Sequence, residues 1–300
     1  MAISPREIKR RIKGVTNTKQ ITKTMEMVAA SSMRRAQNSA LQTRLYAEEA
    51  LEILVNLSGQ IKNFSHPLLK KREVKKITLI LITSDRGLCG ALNTNVINRA
   101  HQSCSEFSKE KIEVITVGKR GRDSMLRLGY QVVADFSGLK KIELADVLPV
   151  IKLVLTAYEK EKTDQVILAY NHFISTLVQK PVVKNILPLD ENHLLKIASE
   201  LAGEKETEVK KHRQSFAYKF EPSPVKVLSK LIPHLVEMQI FQAALESLAS
   251  EHSARMVAMK NATEAAEEII SDLALTYNQA RQAAITNEIA EIAAGAEALS

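Results

Sequence analysis

The chain has no tryptophan, and aromatic residues make up only 4% of its 300 positions. A core so poor in large flat side chains suits helices packed closely side by side. Cysteine is nearly absent. Cys89 and Cys104 are too few for a disulfide framework or a zinc site, and they fit a reduced cytosolic setting. No apolar run approaches the 18 residues that a membrane-spanning helix needs, and Ile77 to Ile82 has the length of a strand. The sequence does not open with a signal peptide. Glycine and proline are missing where their absence tells most. Sixty-one residues between Pro233 and Gly295 contain neither, nor do the 44 between Gly14 and Gly59. At about 1.5 Å per residue these stretches are helical rods of roughly 90 and 65 Å. Most globular helices run about 10–14 residues, so rods of this length need a partner along their length.

Charge suggests the partner. Residues 1–40 hold nine Lys/Arg against Glu7 and Glu26, and residues 240–300 hold three against nine Asp/Glu. The simplest inference is that the basic N-terminal helix and the acidic C-terminal helix wrap around each other. The formal charge of +8 admits nucleic acid, an anionic membrane surface or an acidic protein as partner. Because the excess lies in one helix facing an acidic one, the nucleic-acid reading is the weaker. Ser4-Pro5-Arg6-Glu7 reads as an N-cap, a proline at the first helical position and a capping box, the start of a permanent helix and not of a transit peptide.

Ile8, Ile12, Val15, Met25, Val28 and Ala36 recur at helical steps and predict one apolar stripe over residues 5–57. Residues 59–76 read as a linker. The middle then alternates: strands over 77–83, 112–117, 130–136, 164–173 and 181–189, with helices over 94–108, 122–128 and 144–158. That alternation predicts a mostly parallel sheet covered on both faces. Residues 190–224 are polar, with Phe216, Tyr218 and Phe220 at alternate positions. From Leu235 onward, steps of 3 and 4 visit Met238, Gln242, Leu245, Ala249, His252, Met256, Met259, Thr263, Ala266, Ile270, Leu273, Tyr277, Ala280 and Ala284. A 3.5-residue period held this long is a coiled-coil seam. Gln242 and Thr263 either fix its register or face away where the partner helix has ended. The expected fold class is α/β, a long antiparallel coiled coil of N- and C-terminal helices plus a central Rossmann-like α/β domain. Its parts are 1–58, 76–190, a foot segment 191–224, and 225–300.

Little in the chain reads as chemistry. Thr83 to Asn93 joins a strand to a helix, where α/β folds bind ligands, yet it lacks both the dinucleotide glycine spacing and the P-loop Lys-Ser/Thr. It reads as a tight turn, and Cys89 within it has no evident histidine partner for nucleophilic work. Gly118 to Asp123 could hold a phosphate at a helix start but reads better as a solvated turn. The seven histidines show no metal-ligand spacing, and His252 on the seam reads as a packed or partly solvated histidine and not as a ligand. No catalytic, cofactor or metal site is expected. Residues 277–289 form an Ala-rich helix with isolated polar groups, suited to a slim tip that touches a surrounding protein lightly.

Three separated motifs carry a family resemblance over the whole chain. Asn17 to Ser31, Ser84 to Gly90, and Ser250 to Thr263 followed by Tyr277 to Gln282 resemble the gamma-subunit family of F-type ATP synthases. The resemblance implies a noncatalytic central rotor shaft. Its paired terminal helices would pass through a ring of three alpha and three beta subunits, and its α/β domain would sit beside the foot on a membrane-embedded c-subunit ring. Proton flow would turn ring and shaft, and the shaft would drive each beta subunit through its nucleotide states. Contacts to the catalytic subunits would fall on Met25, Arg281, Gln282, Thr286 and Glu288, with Arg281 and Gln282 bonding an acidic beta-subunit loop. Contacts to the c ring and the epsilon subunit would fall on Tyr218, Phe220 and Glu221. The implied location is peripheral, on the cytoplasmic side of a bacterial inner membrane, with no nucleic-acid partner. Asp190 to Arg213 is longer than the family pattern, and the cysteine-bearing insert of the chloroplast form is absent. The competing readings are a nucleotide-binding enzyme built on the middle domain and a basic coiled-coil protein that binds nucleic acid.

Overall fold

A computed structural model describes residues 4–58, 66–139, 142–189 and 221–297. In chain order its elements are α1 (Pro5–Ser58), β1 (Ile77–Ile82), α2 (Leu92–Cys104), β2 (Ile112–Val117), α3 (Lys119–Arg127), β3 (Gln131–Asp135), α4 (Leu144–Glu159), β4 (Gln165–Phe173), β5 (Gln179–Leu187) and α5 (Pro224–Glu297), with two short 3-10 turns. The chain divides into two compact units, Met1–Ala30 with Arg255–Ser300, and Ser31–Ala254.

The second unit holds a five-stranded sheet in the order β3-β2-β1-β4-β5. β1 pairs in parallel with β2 and β4, β2 pairs in parallel with β3, and β5 runs antiparallel to β4 at the edge. β1 is the centre because its sequence tolerates burial on both faces: all six residues are buried. The period-two alternation of a strand divides them. Ile77, Leu79 and Leu81 join Val96, Ile97 and Ala100 of α2 and Met125 of α3 in one cluster. Ile80 and Ile82 join Val147, Ile151 and Val154 of α4, and Leu231, Leu235 and Val236 of α5, in the other. Both faces are thus covered, as the alternating pattern predicts. The buried Thr78 hydroxyl donates to Thr163 at 3.0 Å, so its polar atom is satisfied within the core.

Local signals set the element ends. Ser4 accepts the Glu7 N–H in its side chain at 3.3 Å, which starts α1. The Asp146 carboxylate accepts the Glu143 N–H at 3.0 Å and starts α4. α3 stops at Gly129, whose φ of 81° lets Gly129 and Tyr130 donate to the Leu126 and Met125 carbonyls. Gly118 has a stricter reason. Its φ is 107°, and a Cβ there would lie 2.1 Å from the Thr83 carbonyl oxygen. β1 and β2 can hold this approach only if that position has no side chain.

Gly118→Ala combines backbone strain with a backbone clash and is expected to destabilise the sheet unit by about 2–4 kcal/mol. The denaturant midpoint, followed by far-UV circular dichroism, checks this; a midpoint unchanged from the parent chain would contradict the account.

Candidate interaction surface

In the first unit α1 and α5 lie antiparallel. The Thr22 and Thr263 hydroxyl oxygens are 2.8 Å apart, and Lys19 Nζ is 2.7 Å from Glu267 Oε1. These two contacts fix a register in which the numbers of facing residues total about 285. Ile8, Ile12, Val15 and Ala29 of α1 thereby fall opposite Tyr277, Leu273, Ile270 and Met256 of α5, each a position of the sequence seam. Burial follows the same steps: Ile8, Thr22, Ala29, Met259, Thr263 and Ala266 are buried. Thr263 therefore sits on the seam as a register pin. Gln242, in the second unit, instead donates to Glu246 at 3.2 Å. Ala36 is buried as expected, but Val28 is 60% exposed and does not belong to the apolar stripe. Strict steps of 3 and 4 from Ile8 reach Ala29 and pass over Val28.

The charge split contributes less than the sequence suggests. Lys19 reaches Glu267, and this hydrogen bond, with the Lys19 charge, holds the Glu267 carboxyl below the usual carboxylate range. Arg6, Lys9, Arg10 and Lys13 are exposed, as are Lys23, Arg34 and Arg35. The seam is lined by apolar and small residues, and most of the basic groups of α1 remain exposed to solvent beside it.

The register also says where α1 ends against α5. Pro5 falls opposite Ala280. Every position from 281 to 294 is exposed. Arg281, Gln282, Thr286 and Glu288 all lie on this bare stretch. Arg281, Ile285 and Glu288 share one face, and Gln282, Thr286 and Ile289 share the next. Thr286 bonds back to the Gln282 carbonyl at 3.0 Å. Met25 is half-buried and falls opposite Lys260, about 30 Å along α5 from Arg281, so these expected contact residues form two separate places. Glu221 is exposed in the second unit; Tyr218 and Phe220 lie outside the described residues. Sequence reasoning missed two apolar sets. Ile285, Ile289 and Ile292 are 48%, 62% and 68% exposed at steps of four and three, and Ile21, Met27 and Val28 are exposed on α1. The tip is therefore less free of large apolar groups than its Ala-rich composition implies, and a helical wheel beyond residue 280 would have found the three isoleucines.

The loop after β1 already takes the first backbone donors of α3. Asp85 Oδ1 accepts the Lys119 N–H at 2.9 Å, the Ser84 carbonyl accepts that of Arg120 at 3.2 Å, and the Thr83 hydroxyl accepts that of Gly121 at 2.8 Å. The donors that would cradle a phosphate are occupied by the preceding loop. The other Asp85 oxygen accepts the Gly138 N–H at 2.8 Å, so this carboxylate ties three sheet-edge loops together. Cys89 is 2% exposed and receives a hydrogen bond from Asn93 at 3.3 Å. Burial pushes the Cys104 thiol up to about 11, which keeps it protonated at neutral pH. His252, expected to be packed or partly solvated, is half-buried. Among the described residues no cluster of His, Cys, Asp or Glu could hold a metal ion, and no helix is long and apolar enough to cross a membrane.

Comparison with known proteins places this architecture. A family model described as ATP synthase (ATP-synt) matches residues 4–299. The ATP synthase gamma chain of Chloroflexus aurantiacus is 43% identical over 303 residues, covering 99% of each chain. That of Herpetosiphon aurantiacus is 44% identical over 308 residues, again with 99% of each chain covered. Among solved structures, a chain of the Euglena gracilis mitochondrial ATP synthase rotor superposes with a TM-score of 0.62 at 21% identity, over 94% of this chain and 98% of that one. At that identity the likeness is one of fold.

The hydroxyl pair yields a direct test. Two hydroxyl hydrogens serve three contacts: Thr22 to Thr263, Thr22 to the Lys19 carbonyl and Thr263 to the Met259 carbonyl. A lone remaining hydroxyl still donates to its own helix, so Thr22→Val or Thr263→Val is expected to cost only about 1 kcal/mol. The double variant should recover part of that loss in a thermal-denaturation double-mutant cycle. Strictly additive losses would show that the two hydroxyls do not act as a pair.

Proposed function

This chain belongs to the ATP synthase gamma-chain family, and from that premise we propose that it is the central rotor shaft of an F-type ATP synthase. Shaft rotation couples proton flow through a membrane c ring to the conformational cycle of the catalytic beta subunits. The chain is a subunit of an ATPase complex and makes and breaks no bonds itself. Its partners are three alpha and three beta subunits, the epsilon subunit and the c ring. It works peripherally, on the cytoplasmic side of a bacterial inner membrane, and needs no cofactor. Residues 1–58 and 225–300 serve as the shaft, 76–190 as the α/β domain, and 191–224 as the foot, where Tyr218, Phe220 and Glu221 meet the c ring and epsilon.

The observation that carries this reading is the bare end of α5. A helix exposed on every side from 281 to 294, with Ile285, Ile289 and Ile292 in one row, has no partner within the described residues to bury that row. An enclosing protein sleeve would supply the missing cover. One helix at the tip, where two run below, also makes the shaft asymmetric. A rotor acts on identical subunits in turn only if it contacts them unequally, because a conformational equilibrium shifts only by differential contact. Met25, Arg281, Gln282, Thr286 and Glu288 are the residues assigned to those contacts. The nucleotide-binding alternative is weakened by the occupied donors at the start of α3.

Reconstitution with matching alpha and beta subunits tests the assignment: co-elution and a large rise in steady-state ATP hydrolysis are expected. Arg281→Ala and Gln282→Ala should each lower that turnover about tenfold, roughly 1.4 kcal/mol of coupling. Both side chains are exposed, so the thermal midpoint of the isolated chain should not move. Failure to associate with folded partners would overturn the rotor assignment.

A further inference from the structure

The hairpin of β4 and β5, with its turn at residues 174–178, is held to α5 in an unusual way. Its turn presents large apolar groups to solvent: Ile174, Leu177 and Val178 are 54%, 77% and 51% exposed. Apolar burial therefore does little to fix the turn. A polar stripe on α5 does the fixing. Glu246, Ser250 and Ser253 follow one another at steps of four and three, on a single helix face. Ser253 donates to the Thr176 carbonyl at 2.7 Å, Ser250 donates to the Asn171 carbonyl at 3.1 Å, and His172 Nδ1 lies 2.5 Å from Glu246 Oε2. Gln242 steadies the other Glu246 oxygen from one turn away, at 3.2 Å. The serine contacts do not titrate near neutral pH. The histidine contact does.

We infer that His172 and Glu246 form a proton-operated latch that fastens the β4–β5 hairpin to α5, closed when His172 is protonated and loose when it is neutral. The charged groups acting on His172 are Glu246 on α5 and Lys180 and Lys184 on β5. The hydrogen bond to Glu246 is the largest influence and raises the pKa of His172 above its ordinary 6.5; burial and the two lysines pull the other way and do not reverse it. For a group raised in this way the stabilisation is complete below the unfolded value and is lost as pH rises through the folded value. The latch therefore closes on the acidic side and opens as the surroundings become alkaline. His172 is 43% exposed and Glu246 18%, so protons reach the pair without unfolding. It needs no partner chain and can be tested whether or not the protein assembles as a rotor. In a rotor, it would make the tie between sheet and helix depend on the same ion that drives rotation.

The test is hydrogen exchange on the full-length chain from pH 6 to 8.5, with intrinsic rates divided out. The reporters are the Ile174, Ser175 and Val178 amides, all hydrogen-bonded within the turn. Wild-type protection should fall about 2- to 5-fold across the range, the scale of a partly exposed ion pair. In His172→Gln it should be low and flat. In His172→Lys, which keeps its charge throughout, it should stay high and flat. Protection of the β1 amides, followed in the same samples, shows that each variant is folded. An NMR titration placing His172 at or below 6.5 would overturn the latch. So would wild-type protection that does not change with pH, or a His172→Gln variant that keeps the wild-type fall.

Discussion

One helix has to satisfy two different partners with a single side-chain period, and most of this structure follows from that. In the sheet unit α5 turns Leu231, Leu235 and Val236 against the strands. In the other unit the same spacing, continued, meets α1 through Met259, Thr263 and Ala266. A sheet face and a helix face make different demands. The sheet side takes branched aliphatics. The helix side mixes the small residues Ala29, Thr263 and Ala266 with the larger Ile8 and Met259. Along α5 burial changes from runs of neighbouring residues, such as Ala243 to Leu245 in the sheet unit, to the single stripe of Met259, Thr263 and Ala266, where the Thr22–Thr263 pair pins the register.

Hydrophobic patterning carried most of the fold into view. The strand runs and the 3.5-residue period are consequences of burial, and burial is written directly in residue type. Val28 shows the limit of that signal. It is apolar and lies close to the right phase, yet it is exposed while its neighbour Ala29 is buried, because a packed seam does not tolerate a one-residue drift. The antiparallel register could not be read from the sequence at all. It depends on which hydroxyl meets which across 241 residues of chain, and no local pattern encodes that pairing. The bare tip was legible only as composition: its alanines were evident, whereas the row of three isoleucines emerges only once the end of α1 is located against α5.

The two charged termini illustrate a different failure. Opposite net charges on two segments invite the conclusion that they neutralise each other. Here the helices do pair, but through apolar and small side chains, and the basic groups of α1 stay largely in solvent. Ion pairs at exposed positions contribute little to such an interface. Net charge correctly suggested the pairing partner without supplying the force that holds it.

Asp85 has a consequence for how the α/β unit lives in a cell. In folds of this kind the edge above the strand ends is commonly completed by a bound small molecule, and the folded state then gains stability as that molecule becomes more abundant. In this chain a side chain of its own occupies the donors at Lys119 and Gly138. At the start of α3 the backbone donors are satisfied from within the chain. The order of those loops then rests on a carboxylate that the chain itself supplies, present in every copy from the moment it folds.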